Sequence, residues 1–189
     1  LLSMDRQPPL SKRQSERAAQ VQQAGWHLLH MIDDMLDLSR IEAGQVNLNI
    51  ESVALAPVLS ESLALVEQAA GARRIRIHND LAGSTLAVTA DRTRLKQVLT
   101  NLLSNAVKYN HDGGTMHCEA IRIPDGRIAV RVRDSGIGMT PEQLRGLFHP
   151  FNRLGREHSG IEGTGLGLVI SRRLAELMGG SLVADSVAG

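Results

Sequence analysis

The hydrophobic period of this chain changes once, at Gly44, and that change limits what it can fold into. From about residue 11 to residue 40, Val21, Ala24, Leu28, Leu29, Met31, Ile32, Met35, Leu36 and Leu38 share an arc of roughly 180° at about 100° per residue. Gln22, Gln23, Asp33, Asp34 and Asp37 take the other half. So wide an apolar stripe is more than one packing partner needs, and it suits a helical bundle. Ahead of it, "DRQPPLS" is a turn carrying Pro8 and Pro9, and "LLSM" has the pattern of a helix end. Residues 1–43 therefore read as a partial helical hairpin whose second helix spans about 11–40, closed by Gly44 as a helix-terminating glycine.

After Gly44 the period shortens. "QVNLNIE" alternates Val46, Leu48 and Ile50 as a half-buried strand does. "APVLSESLALVEQAA" (56–70) is a helix with Pro57 in its first turn. "RIRIHND" and "STLAVTAD" are short strands, and Asp91 is suited to cap the helix that follows. "TMHCEAIRI" and "RIAVRVRD" are strands joined by the turn Pro124-Asp125-Gly126. A short helix "TPEQLRGLF", a polar glycine-rich stretch, a helix "GLVISRRLAELM" and a strand "SLVAD" complete the chain. This succession describes an α+β chain: residues 44–189 form a two-layer α/β sandwich with a mixed, largely antiparallel sheet.

Bulk properties exclude several functions. The 189 residues are 42% hydrophobic and 22% charged, which is ordinary for a globular chain. A net charge of +1, no basic run and 2% aromatic residues give no footprint for nucleic acid. Cys118 is the only cysteine, which excludes an internal disulfide and a cysteine-based zinc site and fits a reducing compartment. No apolar run approaches the roughly 18 residues that span a bilayer, so no membrane contact is expected and the location is cytoplasmic. Leu1 already stands inside a helical pattern, so a longer parent protein, with any membrane anchor upstream, is expected.

The helix at 94–110, "RLKQVLTNLLSNAVKYN", has an unusual polar side. With Asn101 at zero, Asn105 falls near 40°, Lys108 near 340° and Tyr109 near 80°, each at about 100° per residue. Leu95, Leu99, Leu102, Leu103 and Ala106 occupy the opposite arc. Two amides, a cation and an aromatic ring on one line suit an anionic ligand with a flat ring. "DSGIGM" (134–139) follows a strand with an acidic residue and two glycines, which serves either a plain strand-ending turn or close approach to a ligand. "EGTGLGL" (162–168) opens a helix whose free N–H groups and positive dipole end could face an anion, or it is a capped surface loop. Its Gly-x-Gly-x-Gly spacing, with no strand before it, excludes a Rossmann site, and a Walker Gly-Lys pair is absent.

In order, then, the chain carries Asn-x-x-x-Asn-x-x-Lys-Tyr, Asp-Ser-Gly-Ile-Gly, "LFHPFNR" and Gly-Thr-Gly-Leu-Gly. This series resembles the N, G1, F and G2 boxes of the catalytic and ATP-binding domain of sensor histidine kinases, in the GHKL superfamily shared with gyrase-type ATPases. "DMLDLSRIEAG" looks like the end of that family's dimerisation hairpin, so the resemblance extends over residues 1–189. It implies that Asp134 accepts a hydrogen bond from the adenine amino group, with Gly136, Ile137 and Gly138 beside the base and Tyr109 packed on it. Asn105, and with it Asn101, would hold Mg²⁺ or its waters next to the ATP phosphates, and Lys108 would contact phosphate oxygens. Residues 148–162 would form a lid, mobile without nucleotide, with Phe148 and Phe151 as apolar pegs and Arg153 toward the γ-phosphate. Gly163, Thr164, Gly165, Leu166 and Gly167 would complete the ATP contacts.

Asn101 stands where related ATPases place a water-activating glutamate, which favours phosphoryl transfer over hydrolysis. The family's phosphoacceptor histidine has no counterpart among His27, His30, His78, His111, His117, His149 and His158, and is expected upstream of Leu1. His149 and His158 fall in the lid, near where phosphate would sit. ATP binding without autophosphorylation is therefore expected of this chain. The implied partners are a second copy, through the 11–40 helix, and a response-regulator receiver domain. A nucleotide-binding scaffold and a non-histidine GHKL kinase or ATPase are the alternatives. The family's closing strand is missing after "SVAG", which implies a truncated sheet.

Overall fold

The computed structural model describes residues 11–155 and 163–188, with the backbone alone for His27. The turn and helix end expected in residues 1–10, and the core of the expected mobile lid with His158, lie outside the described residues. Helix α1 (Lys12–Glu42) starts at a capping box, in which Ser11 and Gln14 each bond the other's backbone N–H. It ends in a Schellman motif: Gln45 N donates to Arg40 O (2.9 Å) and Gly44 N to Ile41 O (3.1 Å), with Gly44 at φ +64°. Val21, Trp26, Leu28, Leu29 and Ile32 on this helix are exposed, whereas Ile41 is buried.

Strand β1 (Ile50–Ala54) pairs antiparallel with β3 (Ala87–Asp91). It begins later than the alternation at Val46 and Leu48 predicts. The ladder ends at the Ile50–Asp91 pair because Asp91 caps the next helix, so Asn49 N bonds the Asp91 carboxylate (2.9 Å) in place of a strand partner. Val46 packs instead beside Ile41 and Leu166. The helix expected over 56–70 is two helices, α2 (Leu55–Ala64) and α3 (Glu67–Ala72). At the break Leu65 faces solvent, while Val66 and Ala70 turn into the core that holds Leu55 and Leu59.

The second sheet has the order β2-β4-β5, with β2 (Arg76–Asn79) parallel to β4 (Thr115–Arg122) and β4 antiparallel to β5 (Ile128–Asp134). The mixed, mostly antiparallel pairing agrees with the sequence reading, divided between two small sheets. Helix α4 (Arg92–Lys108) lies across them, followed later by α5 (Pro141–Gly146) and α6 (Gly167–Leu177). Leu103, Ala106 and Val107 of α4 meet Met116, Cys118, Leu55 and Leu59 in the main core. Val98 of α4 joins Ile41, Leu166, Ile170 and Leu174 in a second cluster, which packs the end of α1 onto α4 and α6. Burial raises the Cys118 thiol pKa to about 11.

The expected strand "SLVAD" does not form. Among the described residues no strand pairs with 181–188, and Val183 and Val187 stay exposed, so neither a ladder nor burial holds the segment extended in a sheet. It is tethered through Ser186, whose hydroxyl accepts from Met139 N (2.9 Å).

Candidate functional site

The site is organised by α4. Asp91 accepts from Arg94 N (3.0 Å) at the helix start. That bond foremost, together with the one from Asn49, holds its carboxyl below the ordinary carboxylate range against the opposing effect of burial. With the start fixed and Val98, Leu99, Leu103, Ala106 and Val107 buried, the opposite side of the helix presents Asn101, Asn105 and Lys108. Asn101 and Asn105 are half-buried, Lys108 is exposed, and Tyr109 is the C-cap residue.

One end of this polar line meets α6. Asn101 Nδ2 donates to the buried Ser171 hydroxyl (2.8 Å), and its oxygen faces Gly167 so closely that a Cβ there would lie 2.5 Å from Oδ1. Gly167 thus leaves room for the Asn101 amide, which any side chain there would have to displace. Among the described residues no side chain caps the first turn of α6, which leaves its N–H groups for another acceptor.

The other end meets the β5–α5 loop. Tyr109 O accepts from Ile137 N (3.2 Å), and a side chain on Gly136 would collide with that same carbonyl. Asp134 is exposed at the end of β5, with Oδ1 accepting from Gly136 N (2.9 Å), and Gly138 sits beside the Val187 carbonyl. Asn101 and Tyr109 are about 12 Å apart along the helix axis, which suits an elongated ligand with a ring at one end and charge at the other.

The remaining residues arrange themselves less uniformly. The Arg172 guanidinium lies over the Phe148 ring at 5.0 Å, so Phe148 is held against α6. Phe151 has φ +61° and is 55% exposed, so it is not the packed peg that the sequence suggests; the turn closed by Asn152 N to His149 O directs it outward. Gly165 packs on the Phe151 backbone, bringing the two glycine-flanked segments together. Arg153 is half-buried, His149 is exposed, and among the described residues nothing lies within 4 Å of where a side chain on Gly163 would start. Leu166 is fully buried in the second cluster, so its side chain anchors the loop and does not face a ligand.

Thr164 faces a neighbour that the sequence does not announce. Its hydroxyl donates to Asp34 Oδ2 of α1 (2.7 Å) and accepts from Leu166 N (3.2 Å). Three residues along α1, Asp37 accepts from Gln97 Nε2 of α4 (3.0 Å), with Arg94 3.9 Å away. Both aspartates lie on the half of α1 that periodicity assigns to solvent. The spacing i, i+3 on one face was the available signal.

The pattern of the family described as "Histidine kinase-, DNA gyrase B-, and HSP90-like ATPase" matches residues 90–189, which takes in α4, the β5–α5 loop and α6. The chain belongs to this family. It is 35% identical over 181 residues to "Histidine protein kinase DivJ" of Caulobacter vibrioides, covering 96% of this chain and 30% of that protein. It is 37% identical over 186 residues to "Circadian input-output histidine kinase CikA" of Synechococcus elongatus, covering 96% of this chain and 24% of that protein. The chain therefore spans less than a third of these two relatives. Among solved structures, full-length ShkA in complex with AMPPNP superposes with a TM-score of 0.74 at 29% identity, over 94% of this chain and 38% of that one. The histidine kinase AdeS of Acinetobacter baumannii gives 0.70 at 25% identity, over 90% of this chain and 77% of that one. The family's ATP-binding core lies in residues 90–189, and among the described residues no helix is long and apolar enough to cross a membrane.

Proposed function

We propose that this chain is the kinase core of a two-component sensor histidine kinase. It would bind ATP with Mg²⁺ and present the γ-phosphoryl group to a histidine outside residues 1–189, from which a response-regulator aspartate would receive it. The observation that carries the reading is the α4 polar line, bounded by the β5–α5 loop at Tyr109 and by the first turn of α6 at Asn101. Asp134 keeps acceptor capacity for the adenine amino group after bonding Gly136 N. Tyr109 and Ile137 would flank the base, with Gly136 and Gly138 giving it room. Lys108, Arg153 and the N–H groups of Gly165 and Gly167 would take the phosphates. Phe148, Phe151, Gly163 and Thr164 would frame the lid.

The donor set fits a magnesium ion delivered with the nucleotide. Among the described residues no three His, Cys, Asp or Glu side chains stand together as a cage. Magnesium needs few protein ligands when phosphate supplies the rest, and the Asn105 amide oxygen is a suitable one. Asn101, whose nitrogen is committed to Ser171, would contribute through its oxygen alone. When bound, the ion would offset charge on the transferring phosphoryl group. The exposed apolar stripe of α1 suits pairing with a second copy, and the receiver domain is the expected phosphoryl acceptor's carrier.

Calorimetric titration with Mg–ATP tests the reading. The wild-type chain should take up one nucleotide, and Asp134→Asn should weaken it about tenfold or more while the circular dichroism spectrum stays unchanged. No uptake by folded protein, or equal affinity in the variant, would refute it.

A further inference from the structure

A hydrogen-bonded hub at the far end of α4 joins Arg73 and Asn110, outside all four motifs, to Ser135 inside Asp-Ser-Gly-Ile-Gly. Arg73, directly after α3, directs its guanidinium at the end of α4: Nη1 donates to Val107 O (2.5 Å) and Lys108 O (2.8 Å), and Nη2 to Asn110 O (2.6 Å). Its Nε donates to Asp112 (3.1 Å), and its own carbonyl accepts from Gly113 N (2.9 Å). Helix ends leave carbonyls short of partners and carry partial negative charge, so a cation there is favoured twice over. Asn110, 3% exposed, continues the hub: its Oδ1 accepts from Ser135 Oγ (3.2 Å) and His111 N (2.9 Å), while Nδ2 donates to Thr115 O (2.9 Å). Ser135 closes it, with its hydroxyl accepting from Thr115 N (2.8 Å) and its N donating to Thr115 O (3.1 Å).

We infer that Arg73 is a positioning residue for the nucleotide site, acting with Asn110 and Ser135 to fix the last turn of α4 against the β5–α5 loop. The inference rests on the adenine-binding reading above. Tyr109 lies between two residues whose carbonyls Arg73 holds, Lys108 and Asn110. Ser135 lies between Asp134 and Gly136. The hub therefore sets the gap between the aromatic ring on one element and the carboxylate on another. A planar guanidinium spans three carbonyls and a carboxylate at once; a lysine ammonium, with three donors at one point, cannot.

The test uses Arg73→Gln, Arg73→Lys and Ser135→Ala in the 189-residue chain, each checked for folding by circular dichroism. Two readouts are taken: affinity for ATP and GTP by calorimetry, and hydrogen exchange at the Ile137 amide without nucleotide. Arg73→Gln should weaken ATP about tenfold and narrow the ATP-over-GTP ratio, with Arg73→Lys recovering less than half of the loss despite its retained charge. Ile137 exchange should rise about tenfold in Arg73→Gln and in Ser135→Ala. A merely structural arginine would lower the melting temperature and leave the base preference unchanged. Folded Arg73→Gln with wild-type affinity and base ratio overturns the inference, and so does unchanged Ile137 exchange in both variants. If Arg73→Gln does not fold, Ser135→Ala decides. A wild-type chain that takes up no nucleotide overturns the role in recognition along with the site itself, while the exchange readout still judges the brace.

Discussion

Replacing Gly167 by alanine should separate the role of Asn101 from that of the helix it faces. The added methyl would sit 2.5 Å from Asn101 Oδ1, 3.1 Å from Cγ and 3.2 Å from Nδ2, so the amide must swing away. That movement breaks the 2.8 Å bond to the hydroxyl of Ser171, a residue only 2% exposed. Losing the bond and leaving a buried hydroxyl short of its partner costs about 1–3 kcal/mol. Alanine in a helix regains at most about 0.5–1 kcal/mol over glycine, and Gly167 stands at the first position of α6, which leaves a net loss of about 0–2.5 kcal/mol. The Asn101→Ala background removes the obstacle, so there the same substitution should be neutral or stabilising. Urea unfolding followed by circular dichroism at four corners of this double-mutant cycle gives the coupling, expected at about 1 kcal/mol or more. Additive effects within about 0.3 kcal/mol would refute the argued contact between the two residues.

Other consequences are as direct. Asp91→Ala should cost about 1 kcal/mol at neutral pH through loss of the α4 cap. Because the Asp91 carboxyl is held below its ordinary value of 3.8, its contribution is present above that pH and disappears as pH falls through the lower folded value. The stability difference from the alanine variant, measured across pH 2–6, should therefore shrink on acidification; a gap that widens would contradict the assignment. Leu174→Ala, at a fully buried position between α1, α4 and α6, should cost about 2–5 kcal/mol in the same unfolding assay. The Cys118 thiol, buried and pushed up to about 11, should react with a disulfide reagent at pH 8 only as fast as the chain opens, and immediately in urea.

The parts of the fold legible in the sequence were those written locally. Asp91 before α4, Gly44 after α1 and the Pro124-Asp125-Gly126 turn each act within a few residues, and each element forms where these signals put it. What the sequence concealed depends on distant partners. The break between α2 and α3 answers the core's demand for Val66 and Ala70, and β1 starts where β3 stops supplying partners. In the site, the polar line of α4 follows from helical geometry alone. The resemblance implies Leu166 as a ligand contact, yet the side chain belongs to the core. Arg73 looks like an ordinary surface charge, since nothing within a turn of it reveals the carbonyls it meets, and Asp34 has only its i, i+3 spacing to Asp37 to set it apart.

The end of α1 bears on where this protein can be divided. Leu38 and Ile41 pack in the same cluster as Leu166, Ile170 and Leu174, while Asp34 and Asp37 reach Thr164 and Gln97. Severing the polypeptide in the Gly44 turn, where the change of pattern invites a boundary, would strip an oily cleft beside the glycine-rich loop and leave it wet. A piece that keeps these contacts starts upstream of Asp34, and the end of the long helix is as much a wall of the glycine-rich loop as a stalk leading to it.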